Sequence, residues 1–153
     1  MTREEFEKIV EEEFPRAVPE KFHHLIHNVG FLIEDEPGAQ VRAEEGLRPN
    51  ETLLGLYRGI PHSARGESYG IGATLPDTIT LYRRPIEDEA AHLEHSNILQ
   101  NVGMSYEEAV RKVIRETIWH EVAHYMGYDE HQVRGRESLS SRDLRDERKN
   151  DTL

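Results

Sequence analysis

Between Ser105 and Gly127 the sequence leaves little choice of local structure. Ser105 and Glu108 have the spacing of a capping box, in which each side chain satisfies the other residue's backbone N–H at a helix start. From there Val110, Val113, Ile114, Thr117 and Ile118 recur at helical intervals, and Gly127 offers a stop. The spacing predicts a helix opening at about Tyr106, the longest in the chain, packed on a sheet. On a helical wheel with His120 at zero, the arc from about 0° to 160° holds His120, Val113, His124, Thr117, Val110, Glu121, Ile114, Tyr125 and Ile118. Arg111, Lys112, Arg115 and Glu116 fall outside it. Two histidines and a glutamate therefore share the core-facing arc, where burial without partners costs roughly several kcal/mol.

Those three polar residues form His120-Glu121-Val122-Ala123-His124, an HExxH pattern. Histidines four apart lie roughly 40° apart around a helix, so both imidazoles can reach one ion. Glu121, roughly 100° from His120, can address a water at that ion without being a ligand. Nine histidines and 30 acidic residues make chance matches easy, so the amphipathic setting carries the argument. Gly127, three residues past His124, lets the chain leave the helix and fold a third ligand back.

Composition narrows the classes. A chain of 153 residues fits one domain with its own core. With 36% hydrophobic and 32% charged residues, that core must be compact and the surface heavily solvated. There is no apolar run long enough to span a bilayer, and Met1 to Phe6 lacks the look of a signal peptide. Zero cysteines exclude disulfides, thiolate zinc ligation and a cysteine nucleophile. A net charge of −11 argues against nucleic-acid and anionic-membrane partners. The expectation is a cytoplasmic protein.

Elsewhere Thr2 and Glu5 form a second capping box, opening an amphipathic helix to about Glu13 that Pro15 and Pro19 break. A short helix over Glu20–Ile26 and a strand over Asn28–Glu34 follow, then a loop from Gly38 to Asn50. Further strands are expected over Leu53–Arg58 and Thr78–Arg83, separated by a glycine-rich loop from His62 to Thr74. That loop lacks the Lys and Ser/Thr of a phosphate loop. Asp77 after Pro76 reads as a turn residue. Pro85 fits the first turn of a helix over Ile86–His95. Helices, then strands in hairpin-like spacing, then helices give an α+β class. Residues 1–133 read as the domain. The stretch 134–153, six basic against five acidic residues, reads as a charged C-terminal tail.

Beyond HEVAH, Leu54-Gly55-Leu56-Tyr57-Arg58-Gly59-Ile60-Pro61, Leu75-Pro76-Asp77-Thr78-Ile79-Thr80-Leu81-Tyr82-Arg83, and Asn28-Val29 through Glu34-Asp35-Glu36-Pro37 stand in order along the chain. In these segments the chain resembles the small bacterial zincin-like metallopeptidases, the single-domain mini-zincins. The resemblance implies a minimal zincin-like fold, a small mixed sheet packed against the motif helix. It also implies one Zn2+ ion and hydrolysis of a peptide or protein substrate. The family pattern, close to HExxHxxGxxD, has an aspartate as third ligand. Here that position is Glu130, flanked by Asp129 and His131. Glu130 ranks first as third ligand, Asp129 second and His131, one position past the histidine of larger metzincins, third. The methionine turn of metzincins has no counterpart, since no methionine follows Met126.

The expectation is zinc held by His120, His124 and Glu130, with Glu121 as general base. The alternative is a non-catalytic zincin-fold binding module; hydrolysis of a non-peptide amide would use the same residues. His23, His24 and His27 contain another i,i+4 pair, and His92 and His95 an i,i+3 pair. Both read as solvated faces rather than second metal sites.

Overall fold

A computed structural model describes residues 1–26, 28–59 and 77–127. Helix α1, Arg3–Ala17, opens with the expected capping box. Glu5 donates its amide to Thr2 Oγ1 at 3.1 Å, and Thr2 donates to Glu5 Oε2 at 2.7 Å. Pro15 does not break it. The helix runs through Pro15 and ends where Val18 turns extended, the conformation that the following proline imposes. A 3₁₀ turn, Glu20–Leu25, precedes strand β1, Val29–Glu34.

The expected loop after β1 contains instead a short helix α2, Ala39–Glu44, with no side-chain cap and no buried residue. Strand β2 is Gly55–Arg58 and β3 is Asp77–Tyr82. Helix α3, Arg83–Leu99, follows β3 directly and begins three residues before the expected start, with Pro85 in its first turn. The Arg83 guanidinium pins that junction by donating to Asp35 Oδ1 at 3.1 Å, while the Arg84 amide donates to the Asp35 carbonyl. Past the end of helix α3, Asn101 is left-handed at φ 56°, and Val102 N–H reaches back to Asn97 O. Helix α4, Tyr106–Tyr125, is the longest element, opened by the Ser105–Glu108 capping box.

Among the described residues the strands form one mixed sheet in the order β1-β3-β2. Hairpin spacing holds for β2 and β3, which are antiparallel, whereas β1 and β3 are parallel. The register aligns Phe31, Ile79 and Tyr57 in one row and Ile33, Leu81 and Gly55 in the next. Period-two alternation puts both rows on one face, and α4 packs on this sheet with α1 and α3 against it. Ile79, Leu81, Ile86, Ile114 and Ile118 are fully buried between the layers, each contributing about 1.5–3 kcal/mol through removal from water. The architecture is α+β, as expected. Val122 and Ala123 are also buried although they lie outside the arc read from the wheel, so the last turns of α4 are covered on more than one side. No helix among the described residues is long and apolar enough to cross a membrane.

Candidate metal centre

Strand β2 lies close against α4 because it carries glycine where the two meet. A Cβ on Gly55 would stand 2.8 Å from Thr117 Cγ2 and 3.2 Å from Thr80 O. Thr117 is itself turned back onto its helix, its hydroxyl donating to Val113 O at 2.7 Å. One turn further along stand half-buried His120, Glu121 and His124, and Glu121 reaches the end of β2.

The two imidazoles converge. His120 Nε2 and His124 Nε2 are 3.1 Å apart, and the ring planes cross at 63°. Two imidazole nitrogens at about 2.0–2.1 Å from a tetrahedral zinc would be separated by about 3.3–3.4 Å. The observed pair is near that spacing, so these residues fit the ion. Without it, one Nε2–H donates to the other nitrogen.

Glu121 is held from the sheet. Its Oε2 accepts the Tyr57 backbone N–H at 3.2 Å. Tyr82 N–H bonds to Leu54 O, so hydrogen bonding to β3 alternates along β2 and the Tyr57 amide points outward. Burial pushes the Glu121 carboxyl upward from its ordinary pKa, against the Tyr57 amide and both histidines, which pull it down. A carboxyl shifted this way is better matched to accepting a proton near neutrality.

Helix α4 ends as the sequence suggests. Met126 caps it and Gly127 takes φ +93°, with its N–H on His124 O. Glu130, Asp129 and His131 lie outside the described residues. Among the described residues no group of three metal-capable side chains is assembled, so His120 and His124 are the pair that can be placed. Two other described histidines are engaged elsewhere. His23 Nε2 lies 2.7 Å from Val18 O, where it ties the 3₁₀ turn to the end of α1, and neighbouring Phe22 stacks on Trp119. His92 Nδ1 lies 2.8 Å from Asp88 O on its own helix, and His92 and His95 are exposed.

Tyr57 and Asp77 carry more of the site than sequence reasoning assigned them. Asp77 is not a turn residue. It is the first residue of β3, 6% exposed, and its Oδ2 accepts from the Tyr57 hydroxyl at 2.9 Å. The Tyr57 ring stacks on Tyr125, centroids 4.3 Å apart. A pairing across separate segments leaves no local signal. The glycines flanking Leu56-Tyr57-Arg58 were the available hint of close approach.

No curated protein matches the chain. The sequence profile of zincin-like metallopeptidases matches residues 26–139, a span that takes in the sheet, α4 and the HExxH residues. With a match over most of its length, the chain belongs to the zincin-like metallopeptidase family.

Proposed function

We propose that this protein is a zinc-dependent peptidase, with His120 and His124 as ligands, Glu130 as the third and Glu121 as general base. The observation that supports it best is the convergence of the two Nε2 atoms at 3.1 Å, next to a carboxyl whose outer oxygen is tethered by a strand amide. When bound, zinc supplies Lewis-acid polarisation of the scissile carbonyl and a nucleophile at neutral pH. The chain does the rest. The Tyr57 amide occupies Glu121 Oε2 and leaves Oε1 to take the proton of the attacking water and deliver it to the departing amine. Hydrolysis without a covalent enzyme intermediate suits a chain with no cysteine.

In this reading residues 1–133 form the catalytic unit and 134–153 a charged appendage. The substrate is a peptide or protein rather than a nucleic acid, given the net charge of −11. The absence of cysteine suits the cytoplasm. The test is metal analysis of protein purified without chelator, paired with hydrolysis of a mixed peptide library. One zinc per chain, lost in His120→Ala and His124→Ala, with library cleavage, is the expected result. Full zinc with no cleavage would favour a binding module instead.

A further inference from the structure

Four features meet at the end of β2. The Tyr57 amide donates to Glu121 Oε2, the Tyr57 ring lies on Tyr125 at an interplanar angle of 17°, and the Tyr57 hydroxyl donates to the buried Asp77 carboxylate. The fourth is Gly59. A Cβ there would fall 2.5 Å from Asp77 Oδ1 and 2.8 Å from Oδ2. Continuing the register beyond Arg58 and Thr78 places residue 59 opposite Asp77, so the carboxylate occupies space that a side chain at 59 would take. A strand of four residues that, among the described residues, pairs on one side frays readily unless its end is held. Here the end is held at the ring face and at the phenol tip.

We propose that Tyr57 and Asp77 are positioning residues that clamp the end of β2, so that the Tyr57 amide fixes the Glu121 carboxylate for proton transfer. Gly59 is the vacancy that admits the Asp77 carboxylate. The proposal rests on Glu121 acting as the base, but the clamp exists in the metal-free chain and can be read there. Tyr125, next to His124, carries the same stack into the helix that bears both histidines. Strand end, base and ligand helix therefore form one packed unit.

The test uses the full chain and two readouts. The first is hydrogen exchange of the Tyr57 amide in the metal-free protein, with the Ile79 amide in the sheet centre as reference. In Tyr57→Phe and Asp77→Ala the Tyr57 amide should exchange about tenfold faster while Ile79 changes little, the pattern of local rather than global opening. Asp77→Asn keeps an acceptor oxygen and should restore protection. Gly59→Ala leaves both Tyr57 and Asp77 in place as residues but its methyl displaces the carboxylate, and should behave like Asp77→Ala. The second readout is hydrolysis by the zinc-loaded protein, where Tyr57→Phe should lower kcat by about three- to tenfold with KM nearly unchanged. Equal changes at Tyr57 and Ile79, or a Tyr57 amide unmoved by all three disruptive substitutions, would overturn the clamp. If the wild type cleaves no peptide but the exchange pattern holds, the clamp stands and the peptidase reading fails.

Discussion

Two glutamates sit at helix α4, Glu13 fully buried against it and half-buried Glu121 on it, and the protein treats them in opposite ways. Glu13, from α1, packs on its first half with no exposed surface. Arg111 Nη1 donates to its Oε1 at 3.0 Å and Arg115 Nη1 to its Oε2 at 2.9 Å. Burial alone would raise the Glu13 pKa, but these hydrogen bonds and charges outweigh it and hold the carboxyl below its ordinary value. Glu121, on the second half, receives one long amide bond and, among the described residues, no guanidinium, and burial pushes it up. The first carboxylate is matched and fixes two helices together. The second is left under-compensated beside the paired histidines, where a proton acceptor is needed. One helix therefore carries a structural end and a reactive end, and they differ in how fully a buried charge is answered.

The largest effect should come from removing the answer to Glu13. Replacing Arg111 and Arg115 together by methionine keeps the apolar stems but leaves the buried carboxylate with only the exposed Arg16, at 3.8 Å, as a described cation partner. Unpairing such a group costs about 3–5 kcal/mol, reduced somewhat because both arginines are partly exposed. Urea unfolding should show most of that loss. A change under about 1 kcal/mol would mean that Glu13 is protonated or reoriented and that the contrast between the two ends is wrong.

The next effect is on chemistry rather than stability. Glu121→Gln keeps size and an acceptor for the Tyr57 amide but removes the base. Hydrolysis should fall by about 10²-fold or more with zinc content unchanged. Since a neutral amide is cheaper to bury than a carboxylate, metal-free stability at neutral pH should hold or rise. Loss of stability on this substitution would show that Glu121 is a structural residue like Glu13.

Acidification separates the two ends again. Because Glu13 is held below its ordinary value of 4.5, its contribution is fully present above that value. It is lost as pH falls through the lower folded-state value. Unfolding midpoints measured from neutrality down through that range should decline in the wild type. In Glu13→Gln, which has no carboxyl to protonate there, the decline should be shallower.

How much of this was legible follows the range of the interactions. The capping box at Ser105, the helix it opens and the left-handed turn at Gly127 are local, and all three stand where the residues put them. The HExxH pair was legible for the same reason, since helix geometry alone brings positions four apart together. Pro15 misled because a proline only perturbs its own turn, and the true stop was the extended Val18 before Pro19. Helix α2 gave no signal, having neither a capping side chain nor a buried face. Arg111 and Arg115, outside the core-facing arc of the wheel, gave no sign of their role because the carboxylate they serve lies about a hundred residues away, on α1. Tyr57 and Asp77 were missed similarly. Their roles depend on the β2–β3 register and on Glu121, 64 residues from Tyr57.

The smallest expected effect tests whether histidines divide as the glutamates do. His23 is half-buried with Nε2 on Val18 O at 2.7 Å, a hydrogen bond that closes the turn after α1. Such a bond contributes about 0.5–1.5 kcal/mol net. His23→Ala should therefore cost about 1 kcal/mol in urea unfolding and leave zinc stoichiometry untouched. His124→Ala should do the reverse in the metal-free protein, removing zinc while costing little stability, because its ring is only half-buried and its converging partner is another imidazole. Zinc loss in His23→Ala would move a ligand into the 3₁₀ turn. A large metal-free destabilisation in His124→Ala would make the imidazole pair a packing element, and the reactive end of α4 would then resemble its structural one.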